Sequence, residues 1–419
     1  MTLASLHSAL MSLVLCTGVS ACAVARPPDN SCPALPIGGL QTTAATQSAP
    51  PDAVEAMIDA IAPAASPRAP ADLEAQTVEM AETAMMAQAR GQSRARPITV
   101  RIITLSAGGQ WGAFGAGLMA GWSQNPATPR PVFDVVTGVS AGAIIAVPLF
   151  AGPEFDGVLH FYRGVDADSV STRRSLPALL RAPSINDPAP LEAFFRRSVT
   201  PDMVRAIARR HSEGDQLLIS ATNLDTTAGE IFDLGAVAEM ADAAQAADCI
   251  VEAMLASAAI PGLLPPRVIN GTLYADGGLR DQVFFRAIDT ARTRVARDLG
   301  RPVRVEAYLV VNGALTPPTR PVEDRLLSYF GRSVEALADE VQRDSITDAV
   351  NFAQGREGWT IRGMVPVVDL SGCGFDDAPT STFDPCLTRT VFDAGVAAGR
   401  ATPIDWMTAA ELRAIADEL

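Results

Sequence analysis

The chain has 419 residues, 48% hydrophobic and 19% charged, enough for a large core and unlike a disordered or solvated-tail sequence. Forty-seven acidic residues against 33 basic ones give a formal charge of −14, which argues against nucleic acid as a partner and against a polybasic lipid contact. Every basic residue is arginine and only His7, His160 and His211 are histidine. A P-loop lysine, a pyridoxal Schiff base and a Ser–Lys dyad are therefore excluded, and a histidine-clustered metal site is not expected.

Residues 1–21 contain no Asp, Glu, Lys or Arg, and residues 9–16 form an apolar run too short for a membrane span but suited to a secretory h-region. Val19-Ser20-Ala21-Cys22 follows and resembles the lipobox of bacterial lipoproteins. That resemblance implies a lipidated Cys22 as the first mature residue, a membrane partner through this N-terminal lipid anchor, and a place in the bacterial cell envelope, at the outer membrane facing the periplasm. The n-region departs from the usual pattern in lacking Lys or Arg, and an ordinary cleaved signal is the alternative. Residues 23–70 are rich in Ala, Pro, Ser and Thr and predict a tether. Residues 72–90, with Leu73, Val78, Met80, Ala84 and Met85 on a loosely apolar face, predict a helix docked on a domain that starts near Arg96.

The segment Ile98-Thr99-Val100-Arg101-Ile102-Ile103-Thr104-Leu105 is dense in β-branched residues and predicts a buried strand. It runs into Ser106-Ala107-Gly108-Gly109-Gln110-Trp111-Gly112 and then a helical stretch. A Gly-rich turn between strand and helix presents backbone N–H groups to an anion or an oxyanion. A dinucleotide fingerprint needs its glycines at the turn itself; the one good fit, Gly115-Ala116-Gly117, begins well after the strand, and that reading is set aside.

Val132-Phe133-Asp134-Val135-Val136-Thr137 predicts a second strand, followed by Gly138-Val139-Ser140-Ala141-Gly142 and an apolar helix. That is the setting of a nucleophile elbow, where a serine exposes its hydroxyl only if the residues two before and two after are small. The α/β-hydrolase order places a histidine late in the chain, and none follows His211. His160 would serve only in another order, and His211 falls in a polar stretch predicted as a solvated loop. By elimination the expected base is a carboxylate. Residues 268–275 predict a hairpin leading into Asp276-Gly277-Gly278, whose glycines let an acid face a neighbouring strand end. Taken alone, the same tripeptide reads as a turn.

The Gly-rich loop, Gly138-x-Ser140-x-Gly142 and Asp276-Gly277-Gly278, in that order, resemble the patatin-like phospholipases. Ile219-Ser220-Ala221-Thr222-Asn223-Leu224-Asp225-Thr226 and Ala256-Ser257-Ala258-Ala259-Ile260-Pro261-Gly262-Leu263-Leu264-Pro265-Pro266 agree, and the resemblance covers residues 101–286. It implies an α/β fold, a three-layer α/β/α sandwich with a mostly parallel central sheet. It also implies a Ser–Asp dyad, with Ser140 as nucleophile and Asp276 as base, and an oxyanion hole built from Ala107, Gly108, Gly109 and Gln110. Gly112, Gly138, Gly142, Gly277 and Gly278 would shape the turns around them. The implied substrate is a lipid acyl ester, cleaved as by a phospholipase A or lysophospholipase, with no cofactor and no metal. Two positions depart from the family pattern: its first loop glycine is Ala107, and its basic residue before the last loop glycine is Trp111. The alternatives are an acyltransferase or thioesterase on the same site, or a non-catalytic, envelope-tethered lipid-binding module.

After residue 286 the sequence predicts a strand at 303–311 and a largely helical 326–352 whose apolar spacing reads as core rather than lid. Phe392-Asp393-Ala394-Gly395 resembles the family's C-terminal helix. The pairs Arg173-Arg174, Arg196-Arg197 and Arg209-Arg210 read as solvated faces, with contact to lipid phosphates as the alternative. Cys249 reads as a small buried hydrophobe and Cys32 is left over in the tether. Cys373 and Cys386 flank a Gly/Asp/Pro/Thr-rich loop that an exported protein can close, worth roughly 3 kcal/mol in the chain-entropy model; the sequence leaves the pairing open. The expected organisation is a signal peptide at 1–21, an anchored tether and docking helix at 22–95, a catalytic domain at 96–290, and its continuation at 291–419.

Overall fold

The computed structural model describes residues 27–32, 35, 37–39, 70–94, 96–175, 178, 182–240, 242–283, 286–313, 322, 324–374 and 383–417. The expected signal segment and Cys22 lie outside these residues, as does most of the expected tether.

Among the described residues, eleven strands form one sheet. In chain order they are β1 (Asp29–Asn30), β2 (Ile37–Gly39), β3 (Ile98–Leu105), β4 (Val135–Val139), β7 (Gln216–Asn223), β8 (Gly229–Asp233), β9 (Arg267–Ile269), β10 (Thr272–Asp276), β11 (Val303–Val310), β12 (Trp359–Met364) and β13 (Met407–Thr408). The intervening β5 (Thr172–Arg173) and β6 (Asn186–Asp187) pair only with each other. The centre, in the order β12-β11-β3-β4-β7, is parallel throughout. Antiparallel strands finish it: β13 beside β12, and β8 and β10 beside β7.

Period-two alternation divides β3 between two cores. Ile98, Val100 and Ile102 face one layer, with Val78 and Met85 of α1 (Pro70–Gly91), Ile288 and Val295 of α7 (Arg286–Leu299), and Ile346 and Val350 of α8 (Leu326–Ala353). Ile103 and Leu105 face the other, built from α2 (Gly112–Ser123), α3 (Ala141–Ala151), α4 (Ala189–Ser198), α5 (Pro201–Ser212), α6 (Ala243–Ser257) and α9 (Pro385–Arg400). The fold is therefore mixed α/β, a mostly parallel sheet between helical layers, as the sequence led one to expect. The last helix, α10 (Ala409–Asp417), adds Leu412 to the first core. Every residue of α3 is buried, which fits a helix that is apolar all round.

The glycines set aside as a dinucleotide fingerprint have a packing use. A Cβ on Gly117 would lie 2.1 Å from the Phe392 carbonyl oxygen, and one on Gly395 would lie 2.2 Å from that of Phe114. Helices α2 and α9 therefore cross at backbone contact.

Four expectations are corrected. Part of the tether is docked: Asp29 and Asn30 pair with Val268 and Ile269, Ile37 to Gly39 pair with β8, and Asn270 hydrogen-bonds both the N and O of Cys32. Backbone pairing needs no apolar side chain, so composition did not reveal it. Cys32 and Cys249, read as a leftover and a small hydrophobe, form a disulfide with Cα atoms 5.6 Å apart. His211 ends α5 rather than lying in a loop, with Nδ1 3.8 Å from Asp233 Oδ1. Nor is Arg210 solvated: it donates to the Phe150 and Phe133 carbonyls and pairs with Asp215. The pairing left open between Cys373 and Cys386 is present as a disulfide.

Candidate active site

The register of β7 explains how two residues 136 positions apart meet. Residues 218–222 of β7 pair with β8 along one edge. The other edge is shared. Parallel β4 runs up it until Val139 lies opposite Ser220, and antiparallel β10 runs down it until Asp276 lies opposite Ala221. The two strands approach head to head, and the residue after β4 is Ser140. Its Oγ donates to Asp276 Oδ2 at 2.7 Å, and both side chains are buried.

Ser140 has φ 52° and ψ −118°, a conformation an L-residue adopts at a cost of about 1–3 kcal/mol. The flanking glycines permit the turn: a Cβ on Gly138 would meet the Gly142 carbonyl oxygen at 2.4 Å, and one on Gly142 the Leu105 carbonyl oxygen at 2.1 Å. Ser140 N donates to Ser257 Oγ at 2.9 Å, and Ser257 Oγ donates to the Ser220 carbonyl at 2.6 Å. The elbow is thereby tied to β7 by a side chain from the end of α6.

Asp276 is held on every side. Its Oδ1 accepts from Gly278 N at 2.8 Å, its carbonyl accepts from Thr222 Oγ1 at 2.9 Å, and its N donates to the Ala259 carbonyl. Gly277 must lack a side chain, since a Cβ there would lie 2.4 Å from the Ser220 carbonyl oxygen. Burial pushes the Asp276 carboxyl up to about 6, against the hydrogen bonds from Ser140 and Gly278, which favour its ionised form.

The Gly-rich loop lies alongside. No hydrogen bond among the described residues uses the amide N–H of Ala107, Gly108, Gly109 or Gln110. Gly109 has φ 53°, which favours glycine, whereas Ala107 does not lie at positive φ, so its methyl group is accommodated. The position of a Gly278 Cβ is 3.2 Å from Ala107 Cβ, which places this loop against the turn that carries Asp276. Gln110 Oε1 accepts from Asp384 N at 3.0 Å. Trp111, standing where the family pattern has a cation, packs half-buried against the core. Gly112 is pinned between Ala141 and Tyr162.

The histidines stand apart. His160 is exposed and its ring lies 5.3 Å from that of Phe392, while His211, in the last turn of α5, lies beside Asp233 rather than beside the Ser140–Asp276 pair. Among the described residues no group of three His, Cys, Asp or Glu is placed to hold a metal ion. Sequence reasoning gave no role to Ser257, Thr222 or Asn312, the last of which binds the loop at Ser106. Only the first two lie in stretches that carried the family resemblance, and that was the signal available for them.

The search of curated proteins finds no match. Among solved structures, that of VipD from Legionella pneumophila is similar at 14% sequence identity and a TM-score of 0.30, over 76% of this chain and 67% of its own. Residues 103–289 match the family described as patatin-like phospholipase, a span that holds the Gly-rich loop, the elbow and the Asp276 turn. The chain contains a patatin-like phospholipase domain.

Proposed function

We propose that this protein is a serine acyl hydrolase of lipid esters, of phospholipase A or lysophospholipase type, working through Ser140 and Asp276. The observation that carries the proposal is the 2.7 Å Ser140–Asp276 hydrogen bond, at a strained elbow beside a loop with unused amides. Asp276 takes the hydroxyl proton as Ser140 Oγ attacks the ester carbonyl carbon. The tetrahedral oxyanion rests on the loop amides of residues 107–110, each such donor being typically worth about 10²–10³ in rate. Collapse expels the alcohol, which receives the proton from Asp276, and leaves the acyl group on Ser140. Water then attacks that ester, again giving its proton to Asp276; collapse breaks the bond to Ser140 Oγ, which takes that proton back, and the fatty acid leaves. A carboxyl held near 6 is a better proton acceptor than an exposed one, which supports this assignment.

The test is covalent. A fluorophosphonate probe should label the wild-type protein at Ser140, and Ser140→Ala should neither label nor release fatty acid from a lysophospholipid. Labelling that persists in Ser140→Ala, or hydrolysis that survives it, overturns the assignment.

The proposal extends to location: Cys22 carries a lipid and fixes the protein to the envelope membrane. Pro27 is only five residues on, at most about 18 Å of extended chain, and Asp29 and Asn30 are already paired with β9. Anchored there, the sheet edge formed by β1 stays close to the bilayer. Radiolabelled palmitate should enter the wild type and not Cys22→Ser; an unlabelled wild type would favour an ordinary signal peptide.

A further inference from the structure

Asn312 lies two residues beyond β11, which runs parallel to β3 with Val310 opposite Leu105. It is fully buried. Its backbone N donates to Ser106 Oγ at 2.8 Å and its Nδ2 donates to the Ser106 carbonyl at 2.7 Å. Ser106 Oγ in turn donates to the carbonyl of Ala107 at 2.8 Å. The loop also presses onto this residue, since a Cβ on Gly108 would lie 1.4 Å from the Asn312 carbonyl oxygen.

A trans peptide unit is planar, so its C=O and its N–H point in opposite directions. Holding the Ser106 carbonyl therefore aims the Ala107 N–H, and holding the Ala107 carbonyl aims the Gly108 N–H. Those are two of the amides that no described hydrogen bond uses. The Asn312 amide cannot be turned over, because that would set Oδ1 against the Ser106 carbonyl oxygen. In the orientation it keeps, Oδ1 is buried without a partner among the described residues, facing Gly115. An unpaired buried acceptor costs stability, so the donor on the other side of that amide has a use that offsets it.

We propose that Asn312 and Ser106 are positioning residues that fix the direction of the oxyanion amides of Ala107 and Gly108. The proposal rests on the reading of Ser140 and this loop given above. Asn312 touches no reacting atom; it acts through the loop.

The full chain is assayed for ester hydrolysis, fluorophosphonate labelling rate and thermal unfolding. Asn312→Ala should lower kcat and the labelling rate together by about 10- to 100-fold, part of what whole oxyanion donors are worth, with KM within about threefold. The probe reports the same step because negative charge also builds on its phosphoryl oxygen. Asn312→Asp adds a pH signature. As a neutral buried acid it still donates a hydrogen bond to the Ser106 carbonyl; once ionised it repels that oxygen. Its rate relative to wild type should therefore fall as pH rises, at temperatures where both are folded. Ser106→Ala, which frees the Ala107 carbonyl, should lower both rates by at least about threefold and decides the matter if Asn312→Ala fails to fold. Folded variants with wild-type kcat and labelling rates overturn the clamp alone. A wild type that never labels at Ser140 overturns the site reading, and the clamp with it.

Discussion

Asp276 is the base in this reading and also a buried charge, and the two roles make opposite demands. Its carboxyl, raised from 3.8 to about 6, must be ionised to accept the Ser140 proton. The value of kcat/KM should thus rise with pH through about 6 and level off above it, and a limb near 4 would mean that the site is wetter than its burial implies. Stability runs the other way. A carboxyl whose folded pKa is raised favours the folded state when protonated, and that advantage is lost as pH rises from 3.8 through about 6. The ionised form costs the fold roughly 3 kcal/mol. Asp276→Asn should lower turnover by about 10²–10⁴ while raising the melting temperature at pH 8 and leaving it nearly unchanged at pH 4. His160→Ala and His211→Ala should keep most of the activity; a dead histidine variant beside an active Asp276→Asn would reassign the base. Ser140 and Asp276 were legible because an elbow and a strand-end turn impose small residues at fixed offsets, as the contacts of Gly138, Gly142 and Gly277 show. Asn312 was not. It reaches Ser106 across 206 residues and leaves no local pattern, so only the pairing of β3 with β11 reveals it.

At the scale of single elements, β4 carries the proposed nucleophile past one end and a buried carboxyl just before the other. Its upper end delivers Ser140; just before its lower end lies Asp134, buried, whose Oδ2 accepts from Arg101 N. Burial pushes this carboxyl from 3.8 up to about 7; the Arg101 hydrogen bond opposes the shift and the charge of nearby Asp215 adds to it. The sign is again that of a raised acid: the fold loses stability as pH climbs from about 4 to 7. Asp134→Asn keeps an oxygen for Arg101 N and removes the charge. It should melt higher than wild type at pH 8, by up to a few kcal/mol in stability, and match it at pH 4, as calorimetry can read. A gain of equal size at both pH values would trace it to packing instead. The strands themselves were easy to read, since β3 and β4 are runs of β-branched residues. The end of α5 was not: Arg209-Arg210-His211-Ser212 looks like loop sequence, yet Arg210 is held by two carbonyls and Asp215. Polarity marks a helix end as readily as a loop, and only the partner tells them apart.

Across the whole molecule, the two disulfides should differ in consequence because they close loops of very different length. Cys373 and Cys386 are 13 residues apart, whereas Cys32 and Cys249 are 217 apart and tie the N-terminal segment to α6. Chain entropy assigns the short loop roughly 3 kcal/mol and the long one roughly 5 kcal/mol. The long crosslink also does not act alone. Around it lie the pairing of β1 with β9, the Asn270 bonds to Cys32, and a hydrogen bond from Asn30 to Glu252, a buried carboxylate that also binds Arg196 and Arg267. Breaking it should loosen β1 and expose this charge cluster to water, yet leave β4, β7 and β10, and so the Ser140–Asp276 contact, in place. Cys32→Ser/Cys249→Ser should therefore lower the melting temperature more than Cys373→Ser/Cys386→Ser and make the N-terminal segment sensitive to protease. The short-loop variant should show the smaller thermal shift but the larger change in rate. Its Cys386 is two residues from Asp384, whose N–H holds Gln110 of the Gly-rich loop proposed to bind the oxyanion. Equal thermal losses in the two variants would mean that the N-terminal segment does not dock as the strand pairing has it, and a protease-resistant Cys32→Ser/Cys249→Ser would mean that pairing alone suffices to hold it.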